Sequence, residues 1–252
     1  MMRTVLSVNL NKIALLRNSR IGEYPSPVRF GRMALDAGVA GLTVHPRPDQ
    51  RHIRTYDVPA LARLIRTYPG KRFNIEGNPF HNLMDHVRTV RPDQVTFVPD
   101  ATQQLTSDHG FDLRDGAVCR ALRPVIARAK ALGVRVSLFM DPEPEMMAVA
   151  KDLGADRVEL YTEAWAKEYD GLQAQEVLQR YVLAARAAHV AGLGINAGHD
   201  LTLDNLSPFL RACRYIHEVS IGHGLTIEAL RYGWVRTMHR YEALLDACAL
   251  QE

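Results

Sequence analysis

One short phrase recurs along the chain: a helical turn rich in alanine or leucine, a single glycine, then an apolar strand. It reads "DAGVAGLTV", "ALGVRVSLF", "DLGADRVEL" and "VAGLGINAG". Gly38, Gly133, Gly154 and Gly192 each fall where a helix C-cap calls for left-handed backbone, which glycine adopts because it has no Cβ. Strands are expected at Val5–Asn9, Gly41–His45, Phe73–Glu76, Val95–Pro99, Arg135–Met140, Arg157–Tyr161, Gly194–Ala197 and Val219–Ile221. Each is rich in Val, Ile, Leu or Phe, the pattern of a strand buried on both faces. Between them, apolar spacing predicts helices over Pro27–Ala37, Pro59–Thr67, Gly116–Leu132, Glu143–Leu153 and Gln173–Ala191.

Eight such units fit an α/β fold of the closed (β/α)8 TIM-barrel type better than an open doubly wound sheet. The Gly-x-Gly-x-x-Gly turn that often opens an open sheet is absent. The length of 252 residues suits one barrel, and no linker or composition break divides residues 1–252, read here as a single catalytic domain. Arg17 to Pro27 predicts an extended first βα loop. Leu105 to Asp115 is a second long loop, of the kind that forms active-site lids.

Several function classes are disfavoured. The net charge of +3 is small and the basic residues are dispersed, so no nucleic-acid partner is expected. Cys119, Cys213 and Cys248 are far apart, which suggests neither a disulfide framework nor a thiolate zinc site and points to a reducing compartment. The most apolar stretch, Val182 to Ile195, is interrupted by Arg186 and His189, so no membrane partner is expected. Met1 to Asn11 is strand-like rather than signal-like, and the expected location is the cytoplasm.

In such a barrel, chemistry sits at the carboxyl ends of the strands. There the chain places Asn9, Asn11 and Lys12, then His45, Arg47, Arg51 and His52, then Glu76, Asp100 and Asp141. Glu159, Thr162, Asn196, His199, Gly222 and His223 follow on the later strands. An imidazole at the rim, such as His45 or His199, exchanges protons near neutral pH or else bonds a neighbouring carbonyl. Glu76 is a general base or the partner of a cation. Glu159, if it points inward, needs a partner: it orients a histidine, stabilises a cationic intermediate or forms a structural salt bridge. Two histidines and a glutamate also suit a metal, but no His-x-x-x-His or His-x-His spacing supports one, so no metal is expected.

"INAGHD" and "SIGHGLT" are glycine-bearing turns after strands seven and eight, where this fold usually cradles phosphate, and a helix beginning near Thr226 adds its positive end. Lys12, Arg17, Arg20, Arg47 and Arg51 are cations for a second anion, with some of them expected to be ordinary ion-pair partners.

The segments "SVNLNKIALLRNSR", "GLTVHPRPDQRHI", "FNIEG", "RVSLFMDPE", "VELYT", "INAGHDLT" and "EVSIGHGL" together resemble the pyridoxine 5′-phosphate synthase family over nearly the whole chain. The resemblance implies a cofactor-free barrel, assembled as a homo-octamer. It would condense two phosphorylated small molecules, 1-deoxy-D-xylulose 5-phosphate and 3-amino-2-oxopropyl phosphate, into pyridoxine 5′-phosphate, phosphate and water. It further implies His45 and Glu76 as proton acceptors, His199 as proton donor and Glu159 as the transition-state stabiliser. By the same resemblance Asn9, Arg20, Gly222 and His223 contact the aminoketone phosphate, and Arg47, His52 and Thr106 the deoxyxylulose phosphate. Asn11 and Lys12 stand where the family commonly has Asp-His, and Asp200 where it commonly has glycine. All three are kept as substrate-binding candidates. They leave open a different condensation, aldol or isomerase reaction on sugar phosphates, or a non-catalytic binder of a phosphorylated metabolite.

Overall fold

A computed structural model describes residues 3–104 and 106–249. Its strands are β1 (Val5–Asn9), β2 (Gly41–Val44), β3 (Arg72–Gly77), β4 (Gln94–Phe97), β5 (Arg135–Met140), β6 (Arg157–Tyr161), β7 (Gly194–His199) and β8 (Glu218–Ile221). Each strand pairs in parallel with the next, and β8 pairs with β1 to close the barrel. Around it run α1 (Asn11–Asn18), α2 (Pro27–Asp36), α3 (Asp57–Ile65), α4 (Leu83–Val90), α5 (Gly116–Ala131) and α6 (Pro144–Asp152). The outer layer continues with α7 (Glu163–Glu168), α8 (Ala174–Val190), α9 (Leu203–Ala212), α10 (His223–Tyr232) and α11 (Trp234–Ala249). Gly38, Gly133, Gly154 and Gly192 take φ of +102°, +77°, +100° and +73° just past their helices, as the capping argument requires. Helix α3 begins two residues ahead of Pro59, because a first-turn N–H has no intrahelical acceptor and proline fits there.

Two expectations are corrected, one about Arg17 and one about the strands. The extended first βα loop is present over residues 19–26, and ahead of it β1 passes through Leu10 into α1, which takes in Arg17 and buries it with Ile13 and Ala14. Arg17, 1% exposed, forms two bonds to Asp57, at 2.6 and 2.9 Å. It ties α1 to α3 and is not an anion ligand.

The strands are also not apolar on both faces. Leu6, Val8, Leu42, Val44, Phe73, Ile75, Val95 and Phe97 join the core shared with the helices. The alternate positions, Ser7, Thr43, Asn74, Thr96, Ser137, Asn196 and Ser220, are equally buried but polar. Side chains of opposite faces alternate along a strand, so the barrel interior is lined by this polar set. Burial of polar groups is tolerable when they bond one another. Ser7 Oγ and Thr43 Oγ1 are 2.7 Å apart, and Thr96 Oγ1 donates to Asn74 Oδ1 at 3.2 Å. Nearer the amino ends, Arg157 donates to Asn196 at 2.6 Å and lies 3.7 Å from Glu218, while Arg135 donates to Gln94 at 2.9 Å. A polar interior leads directly into the site at the other end.

Candidate active site

A cavity of about 270 Å³ opens at the carboxyl ends of the strands. Its walls include Asn9, Asn11, Lys12, His45, Arg47, His52 and Glu76 from the first three units. Thr106, Glu159, His199, Asp200, Gly222 and His223 complete the predicted set apart from Arg20, and Val98, Ser107, Phe139 and Ser220 join it. Arg20 does not line the cavity and is exposed. Helix α1 explains this: eight residues at about 1.5 Å each carry the chain well away from the end of β1. The four residues that sequence reasoning missed sit on the inward-facing alternation of their strands or beside Thr106. That alternation was the signal available for Val98, Phe139 and Ser220.

Glu76 is buried at the end of β3 and has no arginine or lysine partner among the described residues. Asn9 Nδ2 donates to its Oε2 at 3.4 Å and Ser220 Oγ to its Oε1 at 3.5 Å, both long bonds. Burial, with the nearby charges of Glu159 and Asp100, pushes its carboxyl well above the usual carboxylate range. Among the described residues Glu159 likewise has no basic partner, since Arg157 lies one layer deeper beside Glu218. The salt-bridge reading of Glu159 is therefore not what the fold provides. Burial and the charge of Glu218 raise Glu159 to about 8, opposed by a 3.4 Å bond from Thr96.

A pH-dependent stability follows. A carboxyl whose folded pKa is raised favours the folded state fully below its unfolded value of 4.5, and that contribution is lost as pH rises through about 8. Guanidinium melts of wild type and Glu159→Gln between these pH values should show wild type losing stability relative to the variant as pH rises. Parallel curves would refute the raised value.

His45 presents its backbone N–H to Asn11 Oδ1 at 2.9 Å, and Asn11 N–H donates to Asn9 Oδ1 at 2.9 Å. Asparagine at position 11 thus accepts the bond an aspartate would accept there. The His45 Nε2 atom is 3.3 Å from Asp100 Oδ2, an oxygen already held by Arg47 Nη2 at 2.6 Å. Burial, then the charges of His52 and Arg47, holds His45 well below the ordinary histidine pKa. The shift favours the uncharged imidazole over the imidazolium. Asp100 was visible as the acid after strand four, but only barrel closure brings it to His45 and Arg47.

His199 closes β7, so "NAGH" is strand rather than the expected loop. Its φ of +100° is unusual for a residue with a Cβ, and such conformations persist where the surroundings enforce them. Nδ1 is 2.7 Å from Asp200 Oδ2, and Nε2 is 2.8 Å from Thr106 Oγ1. Gly198 has its own reason: a Cβ there would lie 2.7 Å from Glu159 Oε1 and 2.8 Å from the Ser220 carbonyl oxygen. Gly198→Ala should therefore destabilise by about 1–3 kcal/mol, the usual cost of overpacking, as read by chemical denaturation. An unchanged midpoint would contradict this.

Anion-binding character lies on two sides. Gly222 leads from β8 straight into α10, which starts at His223, three residues before the predicted Thr226, because no loop intervenes. A Cβ on Gly222 would come within 3.0 Å of Asn9, so glycine permits this close approach, and the positive end of α10 meets the cavity. Burial and the charge of Lys12 depress His223. On the other side, burial with the charges of Arg47 and Lys12 takes His52 down to about 3. Lys12 therefore contributes positive potential to both sides. Arg47 and Arg51 also grip the β4–α5 connection, each donating to the Gln104 carbonyl at 2.7 Å. Of the predicted Leu105–Asp115 loop, Leu105 lies outside the described residues. Its remainder carries Thr106 and Ser107 into the cavity wall and is anchored by Phe111 N–H on the Phe139 carbonyl at 3.0 Å.

Among the described residues, no three His, Cys, Asp or Glu side chains converge as an ion-binding group. No helix among them is long and apolar enough to cross a membrane. Cys119, Cys213 and Cys248 are free thiols.

The family model described as "Pyridoxal phosphate biosynthesis protein PdxJ" matches residues 6–247. A pyridoxine 5'-phosphate synthase of Albidiferax ferrireducens is 53% identical over 245 residues, covering 95% of this chain and 96% of the relative. One from Xanthomonas campestris pv. campestris is 53% identical over 252 residues, covering 97% of each chain. One from Brucella abortus is 52% identical over 238 residues, covering 94% of this chain and 96% of the relative. Among solved structures, a mutant tryptophan synthase alpha-subunit from Pyrococcus furiosus aligns over 98% of this chain and 100% of its own, with TM-score 0.63 and 14% identity. That similarity concerns the barrel alone. With a matching family model across almost its full length and relatives above half identity, the chain belongs to the PdxJ family of pyridoxal phosphate biosynthesis proteins.

Proposed function

We propose that this protein is a pyridoxine 5′-phosphate synthase. It joins 1-deoxy-D-xylulose 5-phosphate to 3-amino-2-oxopropyl phosphate and releases pyridoxine 5′-phosphate, inorganic phosphate and water. The observation that carries this reading is the convergence of proton-handling groups on one cavity flanked by two cationic sides. The His45 pKa is pushed down by burial, Glu76 and Glu159 are buried carboxyls with raised pKa, and His199 faces the same space.

The reaction needs such a set. An amine attacks a ketone, water leaves, and a carbanion-like carbon closes the ring on a second carbonyl, so protons move in both directions. His45 and Glu76 act as proton acceptors, and His199 donates to departing oxygen. Glu159, with no cationic partner among the described residues, is drawn to ionise by positive charge that develops on the condensing nitrogen, and as the carboxylate it offsets that charge. The aminoketone phosphate is assigned to Gly222, His223 and Asn9, with Lys12 between the two sides. The deoxyxylulose phosphate is assigned to Arg47, His52 and Thr106. Arg20 stands outside the cavity, and no step is assigned to it. The β4–α5 connection shields an imine intermediate from water.

Homo-octamer assembly belongs to this reading and is supported by family membership, together with the exposed apolar side chains of Leu15, Leu16 and Ile21. Light scattering of the purified protein should give the mass of eight chains, and a monomer mass would reject it. A cytoplasmic location also belongs to it, supported by the free thiols. The activity itself is tested by incubating the protein with both substrates. Mass spectrometry should identify pyridoxine 5′-phosphate, and no product should form when either substrate is omitted.

A further inference from the structure

Asp200 occupies a place where a carboxylate would repel a bound phosphate if it faced the cavity as a free charge. Its carboxylate is instead turned onto the neighbouring ring, with Oδ2 2.7 Å from His199 Nδ1. Burial alone would raise its pKa. The hydrogen bond from His199, with the positive fields of His199, His223 and Lys167, brings it below the ordinary value. An ionised carboxylate only accepts hydrogen bonds, so in this pair Nδ1 is the donor.

We infer that Asp200 is a positioning residue for His199: it holds the proton on Nδ1 and thereby turns Nε2, the working nitrogen, toward the cavity. This rests on the acid–base reading given above. Three further features support the assignment. Nε2 is 2.8 Å from Thr106 Oγ1, so a neutral ring accepts from that hydroxyl and a protonated ring donates toward it. The ring meets Tyr161 edge-on at 5.2 Å, which restricts its rotation. The Asp200 main chain is itself tied down, because Asn205, a buried residue of the α9 capping box, donates from Nδ2 to its carbonyl at 3.1 Å.

The consequence is a division of labour within one imidazole. The Nδ1 proton stays on its nitrogen, hydrogen-bonded to the carboxylate, the proton exchanged with substrate travels through Nε2, and the imidazolium that forms when Nε2 is protonated has a counter-charge beside it. Dyads of this kind act through tautomer and orientation, so they alter turnover rather than substrate affinity. The side chains of the pair are 26% and 29% exposed, so solvent screens the charge and the effect should be smaller than in a buried dyad.

The test combines spectroscopy with kinetics on the full-length protein. Imidazole nitrogen NMR, with His199→Gln used to assign the signal, should show the neutral ring of wild type as the Nδ1–H form. Asp200→Ala should move it toward the Nε2–H form. The same variant should lose roughly ten- to a hundredfold in kcat, with KM for both substrates nearly unchanged, and Asp200→Glu should restore much of the loss. An unchanged tautomer in Asp200→Ala would overturn the inference. So would a changed tautomer with unaltered kcat, or a rise in KM alone, which would make Asp200 a substrate contact. Wild type that makes no product would defeat the synthase reading, while the NMR result would still decide the role of Asp200 toward His199.

Discussion

Glu76→Gln should cut kcat by about 10²–10⁴-fold while leaving the barrel as stable as wild type or more so. The substitution preserves shape and keeps an acceptor for Asn9 and a polar partner for Ser220, but removes the capacity to take a proton. Glu76 is buried beside Glu159 and Asp100 with no basic partner among the described residues, so its ionisation is resisted by the fold. Relief of that resistance is why stability should hold or rise as activity falls, a trade expected of a group kept for chemistry. Steady-state kinetics beside guanidinium melts would check both arms. Near-normal turnover would remove Glu76 from the acid–base set, and a large loss of stability would recast it as a structural residue.

Arg17→Ala should destabilise the protein by about 3 kcal/mol or more, because it leaves Asp57 as an unpaired buried charge. The pair is almost wholly excluded from solvent and doubly bonded, and Asp57 also caps the N–H of Arg54 at 2.7 Å. The double replacement Arg17→Met with Asp57→Leu should recover much of that loss, since a packed apolar pair avoids desolvating two charges. Substrate affinity should change little in the double variant. Arg17 reaches the site only through the His52 carbonyl, at 3.0 Å, and Asn18 Nδ2 supports the same oxygen at 2.8 Å. A single variant as stable as wild type in urea titration would contradict this account. A raised KM in the double variant would assign Arg17 to the anion site after all.

The contrast between Arg17 and Arg47 shows where sequence reading stops. Both are arginines a few residues beyond a strand, and nothing in local pattern separates the one that braces two helices from the one that lines the cavity. The distinction comes from α1, whose short run "NKIALLRN" reads equally well as a loop until Ile13, Ala14 and Arg17 are seen packed on the barrel. The barrel itself was legible because glycine after a helix and a short β-branched run are local signals, repeated at each unit. The interior was not: Ser7, Thr43, Ser137 and Ser220 are small enough to pass within an apolar run, and only the alternation of faces shows that they all point inward. His45, Glu76 and His199 were found because strand ends in this fold converge on one rim. The Asp100 link between His45 and Arg47 was not, because it joins residues more than fifty positions apart.

The proposed synthase uses one cavity to bind both phosphorylated substrates and to move the protons that close a pyridine ring. Rapid mixing of the protein with both substrates, with ring absorbance and free phosphate followed together, tests it most directly. The absorbance of pyridoxine 5′-phosphate should rise with one phosphate released per ring formed, and both signals should slow together by about 10²-fold or more with His45→Ala or Glu76→Gln. Binding of both substrates by the wild-type protein without growth of the ring absorbance would contradict it.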